Sequence, residues 1–245
     1  MNVLALDSSA VTASAAVTRD GVILSDAFIN AGLTHSETLA PLVQKALDEA
    51  GLGLFDMDVI AVTNGPGSFT GVRIGVALAK GLAQPMEIPC FGVSTLEAAA
   101  FRFRNAKKVI LACMDARREQ VYCALFRGCG DHLERLTPDE ALSADEAVSR
   151  LLSYGGEALI CGDGTPVAAR SLSRLADGKA VQVEIPAGDE IYQRASGAAL
   201  AAEYALLYTD KTPVAAKFLN PTYLRLPQAE RELRAKQSEK RSTQI

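Results

Sequence analysis

Seven residues, Gly65-Pro66-Gly67-Ser68-Phe69-Thr70-Gly71, place three glycines between an apolar run and a helical pattern. Glycines let backbone turn tightly and approach a ligand, and a following helix offers free N–H groups at its positive dipole end. Such a junction suits a phosphate. Two familiar phosphate fingerprints nevertheless fail: Thr70 stands where the Rossmann pattern needs glycine, and Gly71-Val72-Arg73 stands where the P-loop needs Gly-Lys-Ser/Thr. The loop therefore reads either as an anion site or as a tight strand–helix connection.

Asp7-Ser8-Ser9 closes the first apolar run, so Asp7 could hold a metal-bound phosphate with Ser8 and Ser9 as donors. The same triplet is also an ordinary strand-ending turn. His35-Ser36-Glu37 opens a helical stretch, but a second ligand one turn on is missing, because that position is Leu39. Helix initiation, capped by Thr34 or Ser36 with Glu37 in the first turn, explains it more economically. His132 is expected on an exposed edge. Two isolated histidines and five scattered cysteines without a CxxC pair assemble no triad and no zinc site. Apolar neighbours around Cys113, Cys123 and Cys161 fit buried thiols in a reducing compartment.

Those residues need elements to hold them. Val3–Leu6, Thr12–Val17 and Val22–Ile29 read as strands, the last two forming a hairpin about Gly21. Leu39, Leu42, Val43, Ala46 and Leu47 recur at helical spacing, and Gly51 stops that helix. Val59–Val62 is a strand feeding the glycine loop, a helix covers about 71–83, and Cys90–Val93 leads to a helix capped by Ser94 with Glu97. The 71–83 helix carries apolar or small residues on more than one face, broken only by Arg73 and Lys80. A surface helix of a monomer should show a polar side, so this pattern predicts contact with a partner.

The second half repeats the plan. Ala112-Cys113-Met114-Asp115 echoes Leu4-Ala5-Leu6-Asp7, and Gly128 follows Asp115 by 13 residues as Gly21 follows Asp7 by 14. Strand 158–161 ends at Gly162-Asp163-Gly164 as the earlier one ends at Gly65-Pro66-Gly67, and a helix follows each. The expected organisation is a first lobe over 1–106, a second over 107–225, and a polar tail over 226–245. From Arg225 onward the chain holds six Lys/Arg against three Glu, a surplus of three positive charges.

A net charge of −4 argues against a surface devoted wholly to nucleic acid. The 49% hydrophobic and 22% charged residues are those of a globular protein. The N-terminus lacks a basic leader, and no apolar run approaches the ~20 residues of a membrane span. A cytoplasmic location is expected.

Gly65-Pro66-Gly67-Ser68-Phe69-Thr70-Gly71-Val72-Arg73-Ile74-Gly75, the opening Leu4-Ala5-Leu6-Asp7-Ser8-Ser9, Asp115-Ala116-Arg117-Arg118 with Val121-Tyr122, and Pro221-Thr222-Tyr223-Leu224-Arg225 together resemble the TsaB (YeaZ) family. The resemblance runs from residue 1 to about 228. It implies an α/β, actin/Hsp70-like (ASKHA) fold of two related lobes, each a mixed sheet with flanking helices. It further implies a subunit of the bacterial machinery that makes threonylcarbamoyladenosine (t6A) in tRNA. The catalytic relative in that machinery, TsaD, holds a metal through His-x-x-x-His after Gly-Val-Asn. The matching stretch here, Gly92-Val93-Ser94-Thr95-Leu96-Glu97-Ala98-Ala99, puts Thr95 and Ala99 at the two histidine positions. Val11 and Thr12 likewise replace the acids that TsaD carries after its first-strand turn.

The resemblance thus implies a scaffold without catalytic residues, metal or cofactor. Asp7, Ser8, Ser9, Gly65 and Gly67 become candidates for a vestigial phosphate site. The expected partners are TsaD as a heterodimer, TsaE, and tRNA indirectly, with self-association in isolation a further expectation. The interface is expected on helices 36–50 and 71–84, through His35, Leu39, Val72, Arg73, Val76 and Lys80. The alternative is an independent nucleotide-binding phosphotransferase or ATPase of the same fold, using Asp7 and the Gly65–Gly71 loop.

Overall fold

The computed structural model describes residues 1–177 and 181–225; the polar tail lies outside the described residues. In the first lobe, β1 (Asn2–Asp7), β2 (Ala13–Arg19), β3 (Val22–Ile29), β4 (Val59–Gly65) and β5 (Cys90–Ser94) form a sheet in the order β3-β2-β1-β4-β5. The hairpins β1–β2 and β2–β3 are antiparallel, whereas β4 joins β1 and β5 in parallel. Helices α1 (His35–Ala50) and α2 (Phe69–Ala83) connect β3 to β4 and β4 to β5, and α3 (Thr95–Phe101) follows.

The second sheet has the same order. Strands β6 (Val109–Asp115), β7 (Gln120–Gly128), β8 (Leu133–Arg135), β10 (Gly156–Cys161) and β11 (Val181–Glu184) run β8-β7-β6-β10-β11, and β9 (Glu140–Ser143) adds a second pairing to β7. Helices α4 (Ala144–Ser153), α5 (Thr165–Leu175) and α6 (Ala195–Tyr208) repeat the positions of α1, α2 and α3 in chain order. Asp7 and Asp115 end corresponding strands, and so do Gly65 and Cys161. The internal repeat read from spacing is therefore a repeat of topology.

Each helix buries the face its period dictates. In α1 the inward stripe is Leu39, Leu42, Val43, Ala46 and Leu47, and Gly51 ends it in the left-handed conformation. Helix α6 is apolar around most of its circumference, with ten of fourteen residues buried, and a helix apolar all round belongs inside. It packs on β1, β2, β4 and β5 and on α3, sharing a core with Val3, Ala5, Val59 and Phe101. Although it follows the second sheet in sequence, it completes the first, which corrects the expected boundary that assigned 107–225 wholly to the second lobe. No helix among the described residues is long and apolar enough to cross a membrane.

Candidate functional site

The strand end Asp115 and the turn that follows Asp7 face an interlobe cleft of about 530 Å³ whose lining includes Ser9, Ser68, Asp115, Arg117, Asp163 and Arg225. Asp7 itself lies below that surface, with no exposure. Its Oδ1 accepts from the Ser9 hydroxyl at 2.6 Å, from the Ser9 amide at 3.3 Å, and from the Thr63 hydroxyl. Oδ2 is buried with no hydrogen-bond partner among the described residues. Burial pushes the carboxyl's pKa up, and the Ser9 and Thr63 hydrogen bonds offset only part of that. Such a group resists ionisation. It is a poor counter-charge for a metal-bound phosphate.

The glycine loop is equally committed to its own chain. The Ser68 amide donates to the Ser9 carbonyl at 2.7 Å, and the Gly71 amide donates to the Ser68 hydroxyl at 3.2 Å, making Ser68 the N-cap of α2. A Cβ at Gly67 or Gly71 would collide with the Ser9 or Ser8 carbonyl, and the Ser8 hydroxyl donates to the Gly71 carbonyl at 2.9 Å. The glycines therefore let the first turn of α2 press against the β1 turn. The loop forms the tight strand–helix connection that one of the two readings describes.

His35 begins α1, but neither Thr34 nor Ser36 makes the expected side-chain cap. Instead the ring's Nε2 donates to the Ala10 carbonyl at 2.7 Å, while Nδ1 is buried and unpartnered among the described residues. His35 thus ties α1 to the β1–β2 turn. His132 sits at the turn before β8, beside Asp131, and stacks on Tyr204 with ring centroids 5.4 Å apart. Cys90, Cys113, Cys123 and Cys161 are buried free thiols, and Cys129 is exposed. Burial pushes Cys90 to about 11 and Cys123 and Cys161 to about 12, so these thiols are unreactive. Among the described residues no group of three or more His, Cys, Asp or Glu converges as a metal site. Thr95 and Ala99, at the two histidine positions of the TsaD pattern, are buried on α3.

The expected interface residues divide into two sets. Leu39, Val72 and Val76 are 1%, 1% and 4% exposed and lie in the first lobe's own core. The inward stripe of α2 is Val72, Gly75, Val76, Ala79 and Ala83. What a second molecule can meet is the other side, with Ala77 and Gly81 exposed and Ile74, Leu78 and Leu82 half-buried. An apolar groove of about 300 Å³ runs between α1 and α2, lined by Ala40, Val43, Leu47, Leu78 and Leu82 among others, with no charged side chain. Arg73 and Lys80 are on the surface but already engaged. Arg73 donates to the Tyr223 hydroxyl at 2.8 Å, and Lys80 to the Lys217 and Leu219 carbonyls at 3.3 and 3.1 Å.

Sequence reasoning missed Asp163 and Arg117 as cleft residues. Asp163 is pushed up to about 7, chiefly by burial and further by Asp115 and Asp7, against the hydrogen bond its Oδ1 accepts from the Asp115 amide. The signal was present in Gly162-Asp163-Gly164, the repeat's counterpart of Gly65-Pro66-Gly67. Arg117, Arg118 and Glu119 all have positive φ, 66°, 56° and 56°, an uncommon run for side-chain-bearing residues. No composition signal marks that turn.

A profile of the family described as TsaD, tRNA N6-adenosine threonylcarbamoyltransferase, matches residues 29–233. The tRNA threonylcarbamoyladenosine biosynthesis protein TsaB of Bacillus subtilis is 32% identical, over 94% of this chain and 96% of its own length. The Escherichia coli protein of the same name is also 32% identical, over 92% and 95%. A solved Pseudomonas aeruginosa structure described as similar to peptidase YeaZ superposes with a TM-score of 0.77 at 27% identity, covering 91% of this chain and 99% of that one. The duplicated mixed-sheet topology and these relatives agree: the chain is an α/β protein of two mixed sheets with flanking helices and belongs to the TsaB (YeaZ) family, with a role in t6A biosynthesis.

Proposed function

We propose that this chain is a non-catalytic scaffold subunit of the bacterial t6A complex. It binds and activates TsaD, helps recruit TsaE, and meets tRNA only through the assembly. The observation that carries the reading is the apolar outer side of α1 and α2. The uncharged groove of Ala40, Val43, Leu47, Leu78 and Leu82 is flanked by Ala77 and Gly81, small enough to let a second helix pack closely. The family's shared fold with TsaD supports pairing of like helices from two related chains. The commitment of Asp7, Ser68 and Gly71 to internal hydrogen bonds supports the absence of catalysis. Activation then comes from ordering the partner's site and not from a reaction on this chain.

Co-expression with TsaD, affinity capture, and nucleoside mass spectrometry of the tRNA test this directly. Ala77→Arg places a charged side chain on the exposed apolar face without entering the core, so it should remove both the complex and t6A. Capture of TsaD by Ala77→Arg at wild-type stoichiometry would put the interface elsewhere.

A further inference from the structure

The segment between Val214 and Arg225 runs across the molecule in a way that neither the scaffold role nor the fold requires. It starts beside β5, where Val214 exchanges two backbone hydrogen bonds with Cys90 at 2.7 and 2.8 Å. Ala216 and Leu219 are buried in the first lobe's core, and Lys80 holds the carbonyls of Lys217 and Leu219. The Thr222 amide donates to the Asn64 carbonyl at 2.6 Å, while Asn64 Nδ2 donates to the Asn220 carbonyl at 3.1 Å and the Thr222 hydroxyl at 3.3 Å. The Thr222 carbonyl lies so close to Gly65 that a Cβ there would collide with it. Tyr223 stacks on Phe69 at 4.9 Å and accepts from Arg73.

Among the described residues, the segment's hydrogen bond and cation–π contact with the second lobe are both made at its end. Arg225 donates to Gln120 Oε1 at 2.7 Å and its guanidinium lies 5.7 Å from the Tyr122 ring centroid, both on β7. Thr222, Tyr223, Leu224 and Arg225 line the cleft together with Ser9, Ser68, Asp115 and Asp163. Gln120 directly follows the Arg117–Glu119 turn with its three positive φ angles, a conformation that costs energy for residues other than glycine.

We propose that residues 221–225 form a latch on the interlobe cleft, permanently seated on the first lobe and releasable from the second at Arg225. The asymmetry of the anchoring sets which end opens. On the first lobe the segment is held by backbone hydrogen bonds, a buried Leu219 and an aromatic stack. On the second, among the described residues, it is held by one side-chain hydrogen bond and one cation–π contact, an attachment of the size that opens locally without global unfolding. Release exposes the cleft floor at Asp163 and frees the strained turn to relax.

Hydrogen exchange on the full chain alone, without any partner, tests the latch. Arg225→Ala should raise exchange about tenfold at Gln120, Val121 and the Asp115 amide, the loss expected for one such contact. Exchange at the amides of Val214 and Thr222 should stay at the wild-type rate, because the first-lobe seat remains. Arg225→Lys, which keeps a donor, should recover part of the protection. Tyr223→Phe removes only the hydroxyl that Arg73 holds and should leave the second-lobe amides unchanged. Wild-type exchange at Gln120 and Val121 in Arg225→Ala would overturn the latch, and so would a rise shared equally by Val214 and Thr222. Failure here leaves the TsaD interface standing, because that reading rests on α1 and α2 and is tested by capture.

Discussion

Arg73 Nε lies 2.8 Å from the Tyr223 hydroxyl, and its guanidinium carbon sits 3.9 Å from the centroid of the Phe69 ring. A cation that the sequence suggests as a partner contact is therefore already bound to the chain's own C-terminal segment. Charge on α2 holds the molecule together, and the exposed residues beside it, Ala77 and Gly81, carry none.

That division predicts opposite outcomes for two neighbouring substitutions on α2. Val76→Asp buries an unpaired carboxylate in the first lobe's core and should cost at least about 3 kcal/mol, enough to unfold a marginal domain. Ala77→Arg, one residue on and exposed, should leave the free energy of urea unfolding within about 0.5 kcal/mol of wild type. Denaturation monitored by circular dichroism distinguishes them.

Two glycines of the same helix also part company. Gly71→Ala drives a Cβ into the Ser8 carbonyl and should destabilise by about 2–3 kcal/mol as an overpacking change against backbone. Gly81 has open space at its Cβ position, and Gly81→Ala should stabilise by about 0.5–1 kcal/mol through helix propensity. If Gly71→Ala melts with wild type, the loop is not packed as the structure shows.

Asp163 gives the stability a pH dependence. Its folded carboxyl titrates near 7 against an ordinary value of 3.8, so between those values the folded state holds a proton that the unfolded state has lost. Stability from this group is therefore full below about pH 4 and declines as pH rises to 7, by on the order of 4 kcal/mol. Asp163→Asn cannot ionise and keeps an oxygen for the Asp115 amide, so its melting temperature should fall less than that of wild type between pH 5 and 8. Parallel curves for the two proteins would contradict the buried setting.

Thiol chemistry should single out one residue. Of the five cysteines, only Cys129 is exposed and the other four are buried. Under native conditions an aromatic disulfide reagent should label about one thiol per chain quickly, with the rest reacting at the rate of unfolding. Cys129→Ser should abolish the fast phase.

Much of this architecture was legible in the sequence because its periods are strong. The stripe from Leu39 to Leu47, the turn at Gly21 and the paired endings at Gly65-Pro66-Gly67 and Gly162-Asp163-Gly164 placed strands, helices and the repeat correctly. Periodicity does not say which of two apolar faces meets the sheet. That is why Val72 and Val76 were expected outside when the sheet takes them and leaves Ala77 and Leu78 to the surface. Nor does chain order say which sheet receives a helix. The alanine-rich α6 looks equally suited to either, and its match to the first sheet depends on contacts with α3 that no local pattern encodes. The cleft groups Asp163 and Arg117 escaped for a similar reason. Asp163 gains its setting from Asp115 and Asp7, distant in sequence, and Arg117 from a run of positive φ angles that no residue type in it announces.

The return of α6 to the first sheet also orders events during synthesis. Strands β1 to β5 leave the ribosome long before residues 195–219, which supply the helix that covers one face of their sheet and, at Ala216 and Leu219, residues that join the core on the other face. The second sheet, contained within 109–184, has all its strands available earlier and can close its own core first, as domains generally fold in units. The lobe made first is thus finished last, and a chain broken off before α6 would leave Val3, Ala5, Val59 and Phe91 facing water.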